Sequence, residues 1–151
     1  MKHIIFALVA LLWSSCAFGA DAPQGSHLIA AQNGFVEVKL MSSMSTTSSK
    51  PGDPVTAIVM GPQELQGAIL EGTVVDSEYD TLHFSFHTLK LLNGKTCPIQ
   101  CRVVCLVNSK GIAGQDDLGQ RIRCDGNGVI GYGLHTAVDE GAEIDLTVWQ
   151  K

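Results

Sequence analysis

The stretch "TLHFSFHTLKLLNGKTCPIQCRVVCLV", Thr81 to Val107, decides the fold class. Leu82, Phe84 and Phe86 alternate with His83, Ser85 and His87, the period of a strand with one face buried. Asn93-Gly94 follows, the dipeptide best suited to a type I′ turn, in which both central residues need φ > 0. Beyond it, Cys97, Ile99, Cys101, Val103, Cys105 and Val107 share one parity, and Gln100 and Arg102 take the other. The pattern predicts a hairpin with a two-residue loop closed by Leu92 and Lys95. Lys90 would then face Cys97, and Thr88 would face Ile99. Phe84, Phe86, Ile99 and Cys101 would lie on one face, as a shared core requires.

The same period recurs on both sides of the hairpin. In "FVEVKLM", Val36, Val38 and Leu40 alternate with Glu37 and Lys39. "VTAIVM" (Val55 to Met60) is rich in β-branched residues. "LQGAILEGTVVDSEY" (Leu65 to Tyr79) reads as a short strand, a Glu71-Gly72 turn and a second strand from Thr73. Near the end, Ile144, Leu146 and Val148 alternate with Glu143, Asp145 and Thr147. No segment keeps an i, i+3, i+4 pattern over three turns; a single helical turn is expected near Leu134 to Val138. The fold class is therefore all-β: a small barrel or sandwich of about seven to eight mostly antiparallel strands. The first and last strands each follow a glycine, Gly34 or Gly141, and are expected to lie side by side. The expected core is Val36, Val38, Leu40, Val55, Leu82, Phe84, Phe86, Ile99, Val103, Ile144, Leu146 and Val148. "SSMSTTSSKPGDP" (Ser42 to Pro54) reads as a surface loop ending in a turn.

The 151-residue chain opens with Met-Lys-His, the apolar run "IIFALVALLW" from Ile4 to Trp13, and small residues from Ser14. A short basic start, a run of about 7–15 apolar residues and a small-residue exit describe a secretory signal peptide, placed at 1–20. The run is shorter than the about 20 apolar residues a bilayer span needs, and no second one follows. Cleavage before Cys16 with lipidation is the alternative; Trp13 stands where a lipoprotein signal has an aliphatic residue. Residues 21–33 form a loose lead-in, and 34–151 a single β-domain. Net charge −5 and a pI near 5.4 disfavour nucleic acid as a partner.

"DGNGVIGYG", Asp125 to Gly133, contains G-x-G-x-x-G. A dinucleotide cradle needs a strand before the glycines and a long helix after them. "LHTAVDEGAE" is too short for that helix, so the glycines read as tight turns or places where another segment passes closely. An EF-hand starting at Asp125 would need ligands at Val129 and Thr136, so that motif also fails. Asp116 and Asp117 leave room for an irregular calcium site. His83 and His87, four residues apart on a strand, are about 13 Å apart, too far for one metal ion; His135 could join one of them. The hydroxyls from Ser42 to Ser49 have no recognisable base, and no G-x-S-x-G elbow accompanies them. No catalytic, cofactor-binding or metal residue is assigned.

Four cysteines remain in the domain. Cys97, Cys101 and Cys105 recur every fourth residue, about 13 Å apart along a strand, whereas a disulfide needs Cα atoms within about 7 Å. The spacing lacks the second C-x2–4-C pair of a structural zinc site. They read as small apolar core residues, or as one disulfide joining Cys124 to Cys97, Cys101 or Cys105.

The order "VEVKLMSSMSTTSSKPGDPVTAIVM", "ILEGTVV", "LHFSFHTLKLLNGKTCPI" resembles small secreted bacterial β-domains of unknown function. It is also distantly similar to the periplasmic β-barrel domain of type IV secretion and conjugation scaffold proteins. Leu70-Glu71-Gly72-Thr73 stands where such domains read Leu-Pro-Ala-Gly-Thr. The resemblance implies a barrel and an envelope setting, and brings no catalytic residue. The expected function is that of an exported envelope protein, periplasmic or extracellular. It would bind or assemble, without catalysis or cofactor, through strand edges or one sheet face, with another envelope protein as partner. The alternatives are a secreted hydrolase with an unrecognised site and an outer-membrane lipoprotein with a structural role.

Overall fold

The computed structural model describes residues 34–108, 122–131 and 135–150. The signal-like segment with Cys16, the lead-in, and Asp116 and Asp117 lie outside them.

The alternating segments become strands β1 (Phe35–Leu40), β3 (Pro54–Gly61), β4 (Ile69–Glu78), β5 (Thr81–Lys90), β6 (Thr96–Asn108) and β10 (Glu143–Gln150). Shorter strands are β2 (Met44–Ser45), β7 (Ile122–Cys124), β8 (Gly128–Gly131) and β9 (Ala137–Val138). The order β4-β3-β1-β10-β6-β5, with β5 pairing back onto β4, is a closed antiparallel barrel. Strands β8 and β7 extend outward from β5, and β2 pairs β9 in a separate two-stranded sheet. The first and last strands are neighbours, Val36 opposite Leu146 and Val38 opposite Ile144.

All twelve expected core residues are buried. They fill the barrel interior together with Leu70 and Leu89, as small barrels require, and Val129 of β8 joins the same core cluster. Phe84 and Phe86 meet edge to face at 6.0 Å between ring centroids.

The barrel closes because its strands carry bulges. The ladders skip Met60 in β3, Val75 in β4, His87 in β5, and Val104 and Val107 in β6. Each extra residue bends its strand and adds twist, which rolls a sheet into a barrel. Met60, Val75 and Val104 are exposed for this reason, although Val59, Val74 and Val103 just before them lie in the core.

Bulges also flip parity, and they overturn several expectations. Beyond Val104, the inward position passes to Leu106, and Cys105 turns outward. In β5 the extra His87 moves the inward set from Phe84 and Phe86 to Leu89. The hairpin register is also shifted by one, because its loop holds three residues instead of two: Lys90 faces Thr96, Leu89 faces Cys97 and Thr88 faces Pro98. The loop is Leu92-Asn93-Gly94, closed by Leu91 N–H to the Lys95 carbonyl at 2.9 Å. Gly94 has φ +80° while Asn93 keeps negative φ, so the turn is not type I′. It is a three-residue loop with a left-handed glycine.

Glu71-Gly72 makes no turn; β4 runs straight through it. A side chain at Gly72 would strike the Ser85 carbonyl of β5, so the glycine serves close strand approach. Of the helical turn expected near Leu134 to Val138, Leu134 lies outside the described residues, and Ala137 and Val138 are strand instead, paired with Ser45 and Met44. Among the described residues the one helical element is the 3₁₀ turn Gln63–Leu65.

Candidate functional site

Strands β5 and β6 stay paired only from Thr88–Lys90 against Thr96–Pro98 and then diverge. The segment Asp125-Gly126-Asn127-Gly128 enters the gap. The Asn127 carbonyl accepts the Phe84 N–H and the Gly126 carbonyl accepts the Val103 N–H, each at 3.0 Å. Closer to the hairpin, the Cys101 sulfur accepts the Phe86 N–H at 3.3 Å. A turn and a sulfur thus stand where ladder bonds would be.

The turn is held by its own first residue. Asp125 Oδ1 accepts the N–H of Asn127 at 2.9 Å and of Gly128 at 3.1 Å. Asp125 Oδ2 lies 2.8 Å from His83 Nε2 on β5. Burial by itself would raise the Asp125 carboxyl; the Asn127 and Gly128 amides and His83 outweigh it, and its pKa falls below the ordinary value. Gly128 presses against β5, where a Cβ would collide with the Leu82 carbonyl. The G-x-G-x-x-G glycines therefore lie in a turn and in strand β8, not at a helix start.

Over the wedge lies an open depression of about 660 Å³, adjoined by a smaller one of about 210 Å³ that runs from His83 to Cys101. Gln100 and Arg102 of β6, Thr147 and Trp149 of β10, Ser85 of β5 and Asn127 form the larger wall. Trp149 is 44% exposed, and its indole N–H donates to Gln100 Oε1 at 2.7 Å. Arg102 lies over Gly126; among the described residues no carboxylate pairs with it. Phe35, 52% exposed, pairs with Thr147 and continues this outer face onto β1.

The remaining candidates are dispersed. Among the described residues His87 bonds its neighbour Thr88 Oγ1, at 3.0 Å, and His135 is exposed. The Ser42–Ser49 hydroxyls serve the backbone: Thr46 Oγ1 accepts the Thr136 amide, and Ser43 Oγ accepts the Glu140 amide. Among the described residues no cluster of three His, Cys, Asp or Glu could hold a metal ion. No described helix is long and apolar enough to cross a membrane.

The four cysteines occupy four environments, and all are thiols here. Cys97 alone is fully in the core. Cys101 fills the wall gap, and burial raises its pKa despite the Phe86 amide and the Ser85 hydroxyl. Cys105 points out, its sulfur 3.1 Å from Asp145 Oδ2. Cys124 is half-buried against the core, and burial, followed by Cys105 nearby, pushes its thiol up to about 11. The glycines read in the sequence as tight turns or close approaches, as Gly126 and Gly128 are; which gap they enter had no sequence signal, because it depends on where two strands part. No family model, curated protein or solved structure matches the chain.

Proposed function

We propose that the chain is an exported envelope protein that binds another envelope protein through the face over the β5–β6 gap. The observation that carries this reading is the exposed Trp149 beside Arg102, which pairs with no carboxylate among the described residues. Trp and Arg dominate the binding energy of protein interfaces, where a large ring and a planar cation bury area and direct hydrogen bonds. Gln100, Asn127 and Thr147 around them supply a polar rim. The signal-like segment 1–20 and the resemblance to periplasmic barrel domains of secretion scaffolds support the envelope setting. Capture from an envelope extract tests the reading. The wild-type chain should retain a partner that the Trp149→Ala, Arg102→Glu double variant loses at an unchanged melting temperature. Equal capture by both would remove this face from the account.

A hydrolytic reading has one observation in its favour: His83, which pairs with Asp125, lines the same depression as Ser85 and Cys101. Against it, no hydrogen bond joins His83 to Ser85 or Cys101, and the Cys101 thiol is held protonated rather than activated. Labelling by fluorophosphonate that disappears in Ser85→Ala would favour hydrolysis over binding.

A further inference from the structure

We propose that Cys105 and Cys124 form a redox pair that closes to a disulfide and pins the Asp125–Gly128 wedge to strand β6. Strand β7 runs antiparallel to β6, since each is antiparallel to a strand (β8, β5) in the continuous order β6-β5-β8-β7. The Val103 N–H to Gly126 carbonyl bond fixes their alignment. Cys105 lies two residues beyond Val103, and Cys124 two residues before Gly126, so the antiparallel run brings both to the same side of that bond. Both Cys105 and the Leu106 amide next to it in sequence lie close enough to the Cys124 sulfur to shift its pKa. Allowing for the extra Val104 between Val103 and Cys105, Cys124 stands against Cys105 and its neighbour Leu106, and opposed residues on antiparallel chains have Cα atoms about 4.5–5.5 Å apart, within disulfide range.

The other two cysteines are excluded by the same alignment. Cys101 lies on the far side of the Val103–Gly126 bond, about 13 Å along the strand from Cys105. Its sulfur is taken up with the Phe86 amide. Cys97 is buried opposite Leu89 at the hairpin end.

The oxidant is a small disulfide. The Cys105 thiolate attacks one of its sulfurs, forming a mixed disulfide and expelling one thiolate. The Cys124 thiolate then attacks the Cys105 sulfur, forming the intramolecular bond and expelling the second thiolate. Overall two cysteine thiols are oxidised, one small disulfide is reduced to two thiols, and their protons pass to the products. Both thiols titrate above their ordinary value, so uncatalysed exchange is slow at neutral pH and gains about tenfold per pH unit as thiolate forms. The bond joins β6 to the residue preceding Asp125, and so holds the carboxylate that positions His83 and the wedge.

The tryptic map separates the possibilities. Thr96–Arg102 contains Cys97 and Cys101, Val103–Lys110 contains Cys105, and Cys124–Lys151 contains Cys124. The full chain, folded, is treated with oxidised glutathione at pH 8.5, its residual thiols are alkylated, and the unreduced digest is weighed. The expected product links Val103–Lys110 to Cys124–Lys151, with Thr96–Arg102 alkylated on both cysteines. The same link should form in Cys101→Ser, and the oxidised chain should melt several degrees above the reduced one. A link from Cys124–Lys151 to Thr96–Arg102, or full alkylation of Cys105 and Cys124 after oxidation, would overturn the assignment.

Discussion

Val103 donates its amide hydrogen to the Gly126 carbonyl at 3.0 Å, across a gap that no strand ladder fills. This bond connects the middle of strand β6 to a turn that arrives from outside the barrel. On the other side Phe84 makes the matching bond to Asn127. The surface over the gap is therefore set by the glycine turn, and the side chains beside it are those of the proposed binding face.

Phe84→Ala should destabilise the fold by about 3–5 kcal/mol, the usual loss for a large buried aromatic. Phe84 lies in the core against Phe86. Urea denaturation measures it; an unshifted midpoint would mean that Phe84 does not face the interior.

Two glycines should respond differently to valine. Gly94 has φ +80° and open space around it, so Gly94→Val should cost about 1–3 kcal/mol of backbone strain. Gly128 lies against the β5 backbone, and Gly128→Val must push Leu82 and His83 away. Its destabilisation should exceed that of Gly94→Val, with loss of hydrogen-exchange protection at Phe84 and Val103. Equal effects would contradict the wedge.

The Asp125 carboxyl is held below its ordinary pKa, so its contribution is present above about pH 4 and is lost as pH falls through the folded value. Wild type should lose stability on acidification more steeply than Asp125→Asn. Parallel acid curves would show that the Asn127, Gly128 and His83 contacts do not favour the carboxylate.

Cys124 behaves with the opposite sign. Its folded pKa is raised from 9.0 to about 11, so burying the neutral thiol stabilises the chain fully below pH 9 and progressively less as pH rises to 11. The reduced wild type should weaken over that window, and Cys124→Ala should flatten the slope. A thiol that alkylates at pH 8 as fast as a free cysteine would contradict this burial.

The alternating runs made the strands and the core legible, because a half-buried strand writes its parity into its sequence. The twelve core residues needed nothing else. Parity failed where a residue was added to one strand alone: Val104 turned Cys105 outward and His87 turned Leu89 inward, while the third loop residue moved the hairpin register by one. Nothing local distinguishes Val104 from its neighbours; the bulge is imposed by barrel closure. Gly72 read as a turn because glycine is permissive, whereas the requirement comes from β5 crossing behind it. The site was the least legible part. His83 and Asp125 are 42 residues apart and meet only because the wedge enters between β5 and β6.

The central claim, that the face over this gap binds a partner, is tested most directly by site-specific photocrosslinking in the intact envelope. A photoreactive phenylalanine analogue is placed at Gln100 and, on the opposite wall, at Met60 of β3. The Gln100 probe should join the chain to one discrete envelope protein, and that product should vanish with Arg102→Glu, while the Met60 probe yields none. The same product from both positions, or a discrete product from Met60 alone, would contradict the account.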